Sequence, residues 1–178
     1  MVPLGEKEMK IAVIGGGASL LERELGETID TDFTIITRTN CAPTIGYEKY
    51  VGTRTDYVLL RGGGAQEFEP EFGHTKIITL SHAVNRVLRE KGIKNIVETW
   101  GTGRRKITRA YKLKGNLSSG IIAICYWLLK DVKPVYVAGI DAFKYPNHYF
   151  KKSVLGHDAK KERAWLAEAV EKKWIEYI

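Results

Sequence analysis

Short apolar runs recur along the chain, at Ile11 to Ile14, Phe33 to Ile36, Tyr57 to Leu60, Lys76 to Leu80 and Val135 to Ala138. Their apolar residues are mostly consecutive rather than alternate, the pattern of strands covered on both faces. The segments between them include helical patterns. Ser81 can cap a helix in which Val84, Val87 and Leu88 share a face, with Gly92 as a suitable stop. Ile121 to Lys130 is too continuously apolar for a surface helix and predicts a buried one, its N-terminus offered at Ser118, Ser119 and Gly120. From Asp158, a first-turn acid or cap, the residues Ala159, Ala164, Trp165, Leu166, Ala169, Val170 and Trp174 predict an amphipathic helix running to the C-terminus. Arg61-Gly-Gly-Gly-Ala reads as a flexible turn, and Ile93 to Val97 as an apolar run of uncertain type. The basic stretch Trp100 to Arg109 reads as a solvated loop ahead of an acceptor- or phosphate-binding one. The alternation predicts one Rossmann-like α/β domain over residues 1–178, with a mostly parallel sheet and helices on both faces.

A chain of 178 residues buries roughly 70% of the surface exposed on unfolding, so no disulfide staple is needed. Cys41 and Cys125 lie far apart, without metal-ligand spacing, and read as free thiols. No apolar run approaches the ~20 residues of a membrane span, and the N-terminus lacks the apolar centre of a signal peptide. The expectation is a soluble cytoplasmic protein. A net charge of +7 favours anionic ligands, among them nucleotides, acidic glycans and nucleic acid, without choosing between them.

Two polar stretches carry candidate chemistry. Gly15-Gly16-Gly17 follows the first apolar run and precedes Ala18-Ser19-Leu20, a strand, glycine turn and helix-opening arrangement that lets backbone N–H groups approach a phosphate or ribose. It does not keep the Gly-x-Gly-x-x-Gly spacing. Arg38 to Asp56 is a long polar connection between two apolar runs, with Asn40 offering both donors and an acceptor, Pro43 stiffening the exit, and Gly46 and Gly52 permitting close approach. Asp30 and Asp32 share an Asp-x-Asp spacing but precede a strand and are discounted as metal ligands.

The pattern from Arg38 through Asn40, Ala42-Pro43-Thr44, Gly46-Tyr47-Glu48-Lys49 and Val51-Gly52-Thr53-Arg54-Thr55 resembles the second half of the large sialylmotif of animal-type sialyltransferases, glycosyltransferase family 29. The Gly15 turn resembles its first half, with Gly16 and Ser19 standing where the family carries asparagines. Ser118-Ser119-Gly120, the apolar run and Val135-x-Val137-x-Gly139 resemble the small sialylmotif, whose Ser/Thr-Gly pair meets the donor in that family. His148-Tyr149-Phe150 resembles the third motif. His157 and Glu162 keep the His-x-x-x-x-Glu spacing of the very small motif. His74 and His82 match nothing and read as surface or helix-entry residues. The positions aligned with the family's motif-linking disulfide are Ile11 and Val132, a joint apolar replacement that suits a reducing compartment.

The resemblance runs from about Lys10 to Glu162 and implies a reduced family member, shorter than the family domain, with part of the acceptor site missing or supplied by another subunit. It implies an inverting, metal-independent and cofactor-free transfer of sialic acid or a related keto-sugar from a CMP-activated donor to a hydroxyl of a glycan or other acceptor, possibly acidic. His157 would be the general base and His148 would meet the leaving phosphate, with Glu162 orienting His157 or closing the helix start. Gly15, Gly16, Gly17, Ser19, Asn40, Ser118, Ser119 and Gly120 would hold the nucleotide. Two alternatives stay open: a CMP-sugar hydrolase, and a non-catalytic nucleotide- or nucleic-acid-binding module supported by the basic Arg104-Arg105-Lys106 segment.

Overall fold

The computed structural model describes residues 9–68, 75–142, 144–145, 147–152 and 157–178. His74, Pro146, Gly156 and the first eight residues lie outside that set. Among the described residues seven strands form one sheet: β1 (Ile11–Ile14), β2 (Ile35–Thr39), β3 (Tyr57–Leu60), β4 (Lys76–Thr79), β5 (Ile96–Thr99), β6 (Val135–Ala138) and β7 (Ile175–Tyr177), in the order β5-β4-β3-β2-β1-β6-β7. Every pairing between them is parallel.

The consecutive apolar residues divide between two layers, as a strand's alternating side chains require. Ile11, Val13, Leu59, Ile78, Val135 and Val137 face one core, with α5 (Gly103–Tyr111), α6 (Ser119–Leu128) and α7 (Ala159–Glu171) supplying its cover. Ala12, Ile14, Ile36 and Ala138 face the other side, under α1 (Gly26–Asp32) and α2 (Glu48–Val51). Val58, Leu60 and Ile77 share that side with α3 (Gly62–Glu67) and α4 (His82–Glu90). Helices therefore cover both faces. All ten residues of α6 are buried, which explains its unbroken apolar run. Among the described residues, no helix is long and apolar enough to cross a membrane.

Four local expectations are corrected. The C-terminal helix stops at Glu171: Lys173 takes a left-handed backbone (φ 55°) and donates to the Val170 carbonyl, Trp174 donates to the Ala169 carbonyl, and the chain leaves as β7. The basic stretch after Trp100 is α5 rather than a loop, because Ile107 is fully buried and Gly103 rests against the Trp100 ring. The glycine run after Arg61 is α3, which buries Ala65 and packs on α4 despite its poor helix propensity. Arg38 and Thr39 belong to β2, and the connection beyond them contains α2.

Candidate functional site

β1 lies between β2 and β6, so the strand order reverses at the β1/β6 pair and the carboxyl ends of these strands part to leave a crevice. A cleft of about 500 Å³ opens there. Of the eleven residues expected at the site, nine line it: Gly15, Gly16 and Gly17 from the β1 exit, Asn40 from the β2 exit, Ser118, Ser119 and Gly120 from α6, and the histidines His148 and His157. Ser19 and Glu162 do not. Ser19 turns to Asp141 at the β6 exit, giving its hydroxyl to one carboxylate oxygen and its N–H to the other at 3.2 Å.

The glycine turn is built for close approach between two strand exits. The Gly15 N–H donates to the Ala138 carbonyl at 2.8 Å and the Gly17 N–H to the Gly139 carbonyl at 2.9 Å, so these two donors serve the scaffold. A β-carbon on Gly15 would fall 2.2 Å from the Gly139 carbonyl oxygen. The Gly16 carbonyl accepts from the Tyr149 N–H at 3.0 Å, which seats the His148 segment on the turn.

Opposite the turn, Asn40 has a left-handed backbone (φ 54°), tolerated by asparagine better than by most residues. Its Nδ2 donates to Ser119 Oγ at 3.0 Å and its Oδ1 accepts from the Arg61 N–H at 3.3 Å, tying the starts of α3 and α6 to the end of β2. At the start of α6, Ser118 Oγ accepts from the Ile121 N–H, and the Ser118 N–H donates to Glu162 Oε1 at 2.6 Å. The Ser119 and Gly120 N–H groups, orphans of the first helical turn, have no partner among the described residues. Glu162 is fully buried and its Oε2 has no hydrogen-bond partner among the described residues. Of the two roles expected for it, the geometry gives the second: it closes the helix start.

His157, just ahead of the Asp158 cap of α7, has Nδ1 2.7 Å from the Asn116 carbonyl. His148 has Nδ1 3.1 Å from the Gly16 carbonyl, and its ring stacks on Phe150 with centroids 5.5 Å apart. A carbonyl can only accept, so each Nδ1 carries the proton and each Nε2 is the basic nitrogen of a neutral ring. Burial holds His148 below the usual histidine range, helped by the Lys151 charge and opposed by the Gly16 carbonyl and Asp141. Two imidazoles with fixed tautomers thus share a cleft with a helix N-terminus, an arrangement able to take a proton from a hydroxyl and to receive an anion.

Residues 4–88 match the family model described as glycosyltransferase family 29 (sialyltransferase). "Sialyltransferase-like protein 2" of Arabidopsis thaliana is 33% identical over 96 residues, 49% of this chain and 22% of that protein. The human "CMP-N-acetylneuraminate-beta-1,4-galactoside alpha-2,3-sialyltransferase" is 32% identical over 69 residues, 39% of this chain and 18% of its own length. A mammalian sialyltransferase crystallised with Gal-beta-1-3GalNAc-ortho-nitrophenol shares the fold, with a TM-score of 0.74 at 20% identity over 96% of this chain and 69% of that one. A second mammalian sialyltransferase structure gives 0.75 at 20% identity, over 96% of this chain and 68% of its own. Over residues 4–88 the chain is similar to the sialyltransferases of glycosyltransferase family 29, and over most of its length it shares their fold. Its matched stretches span about a fifth of those two sequence relatives.

Other residues of the cleft carry no signal in the motif pattern. Arg61, Glu67, Asp141, Lys151 and Lys152 also line it, and Lys151 reaches Glu67 at 2.7 Å across the cleft rim. Beneath the connection, Arg38 is buried and donates to the Val51 and Arg54 carbonyls and to Thr55 Oγ1. Burial draws its guanidinium down to about 10, against the opposing pull of Tyr149, Asp30 and Asp56. Asp30 grips the same connection, accepting from the Thr53 and Arg54 N–H groups. Burial opposes its ionisation, but those hydrogen bonds win and hold it below its ordinary value. Among the described residues, no group of three or more His, Cys, Asp or Glu is placed to hold a metal ion. Neither Cys41 nor Cys125 is in a disulfide, and Ile11 and Val132 are both buried in one core.

Proposed function

We propose that this chain is a glycosyltransferase module that moves sialic acid or a related keto-sugar from a CMP-activated donor to an acceptor hydroxyl, with inversion. The single observation that carries the reading is the meeting of His148, His157 and the start of α6 in one cleft at the strand-order reversal. His157 Nε2 takes the acceptor proton as the hydroxyl oxygen bonds to the anomeric carbon. The bond from that carbon to the phosphate oxygen breaks on the opposite face, and its electron pair leaves with CMP. The Ser119 and Gly120 N–H groups and a protonated His148 receive the charge. His148 meets this demand only with both nitrogens protonated, because its Nδ1–H is already committed to Gly16.

Thermal denaturation with CMP, UMP and AMP, combined with product analysis after incubation with CMP-sialic acid and an acceptor, tests the reading. Stabilisation by CMP above the other two nucleotides and formation of a glycoside support it. Equal stabilisation by all three contradicts the cytidine assignment, and free sugar as the sole product makes the protein a hydrolase. A cytoplasmic setting is part of the same proposal, resting on the apolar pair Ile11 and Val132. It requires alkylation under non-reducing conditions to find both thiols in the unfolded chain, and a bridged pair would oppose it.

A further inference from the structure

A run of positive charge lies just outside the cleft. From Gly103 to Lys114 the chain carries Arg104, Arg105, Lys106, Arg109, Lys112 and Lys114 and no acidic residue. Three of these six sit in the first turn of α5, where the helix macrodipole opposes positive charge and no acid relieves it. Local rules of this kind are broken chiefly at functional sites, and here, among the described residues, Arg104 alone of the three has a side-chain partner, at Gly115 and Asn116. Among the described residues, Arg104, Arg105, Arg109 and Lys114 make no ion pair. Together with Thr108, Gly115 and Asn116 they line a groove of about 670 Å³.

The groove is continuous with the proposed base. Asn116, at its end, gives its carbonyl to His157 Nδ1, while its side-chain oxygen accepts from Arg61 at 2.8 Å and from Arg104 at 3.3 Å. Asn116 thus joins the proposed base to the cationic face of α5. The donor's own phosphate is accounted for on the opposite side, at His148 and the start of α6. Among the described residues no aromatic side chain lines the groove, so these residues offer no stacking platform of the kind single-stranded nucleic-acid sites use.

We propose that the acceptor is an acidic saccharide, whose phosphate or carboxylate group sits in the α5 groove while a neighbouring hydroxyl meets His157. This rests on the glycosyltransferase reading for the hydroxyl and on the groove alone for the charge. The test measures binding at low salt of a neutral β-galactoside disaccharide, the same disaccharide bearing one phosphate monoester, the same bearing one uronic-acid carboxylate, and a charge-matched oligonucleotide. The full chain and its Arg105→Gln/Arg109→Gln variant are compared, with transfer from CMP-sialic acid measured in parallel. One or both acidic saccharides are expected to bind about tenfold more tightly than the neutral one, as two or three exposed charge pairs allow. The stronger of the two identifies the anion, and the variant should lose most of the difference while keeping its CMP-induced stabilisation.

Equal binding of neutral and acidic saccharides, or a preference unchanged in the variant, would overturn the inference. So would an oligonucleotide bound far more tightly than either acidic saccharide. Acidic-saccharide binding through the groove without donor cleavage would retain the groove and remove the transferase reading. Efficient transfer to neutral acceptors with no gain from the charge would do the reverse.

Discussion

Replacing Glu162 by Gln removes one negative charge from a fully buried position and changes little else in shape. The carboxylate accepts the Ser118 N–H at 2.6 Å at the head of α6, and its other oxygen has no hydrogen-bond partner among the described residues. A hydrogen bond to a charged group contributes about 1 kcal/mol more than one between neutral groups, and a partly buried anion at a helix N-terminus adds about 1–2 kcal/mol. The new amide would also bury an N–H without an acceptor, at about 1–3 kcal/mol. Relief of an incompletely compensated buried charge offsets part of this. The expected net loss is about 1–3 kcal/mol, a fall in Tm of about 2–10 °C for a chain of this size. Thermal denaturation with and without CMP reads both the fall and a reduced ligand-induced shift, since the start of α6 is the proposed phosphate site. The pH dependence of transfer should not move, because the Asn116 carbonyl, rather than Glu162, holds His157. A variant as stable as wild type with an intact CMP shift would refute the reasoning. A shifted pH profile at unchanged stability would show that the carboxylate acts through the histidine.

Gly15→Ala should cost about 3 kcal/mol or more, because its β-carbon would meet the Gly139 carbonyl oxygen at 2.2 Å and force the β1 and β6 exits apart; denaturant midpoints measure it. Gly63→Ala in α3 has open space around it and should be neutral or stabilising by up to about 1 kcal/mol in the same assay. CMP binding should take up protons at His148, whose ring is held neutral by burial when unliganded and must be protonated to meet the phosphate. Affinity should therefore fall as pH rises through the histidine range, and calorimetry in buffers of different ionisation enthalpy should find less proton uptake in His148→Ala. The nucleotide's own ionisation is common to both proteins and cancels; identical uptake would contradict the role.

The strands were legible because a sheet covered on both faces writes itself as consecutive apolar residues, and α6 because it is buried all round. What escaped was set by distant contacts. α5 looks like a solvated loop until Ile107 and Tyr111, one turn apart, are seen against the core. α3 is three glycines stabilised by a neighbouring helix. Arg38 reads as a loop cation, yet it is a buried anchor whose partners lie 13 to 17 residues further on. Nine site residues came together because the motifs mark strand exits and a helix start, which the parallel topology gathers at one edge. Their hydrogen-bond commitments were not legible. Asn40 and Gly15 serve the scaffold directly, and Ser19 turns away to Asp141. Lys151 and Glu67 reach across the rim from segments 84 residues apart.

The central claim is that His157 acts as the base in a cleft that holds the nucleotide independently of it. The direct measurement is transfer from CMP-sialic acid in His157→Ala beside wild type, with CMP-induced stabilisation of both proteins. The account predicts a loss of about 10²–10⁴-fold in turnover. At about 100 times its dissociation constant, CMP should still raise Tm by about 5–10 °C in the variant. Full transfer activity in His157→Ala would contradict the account.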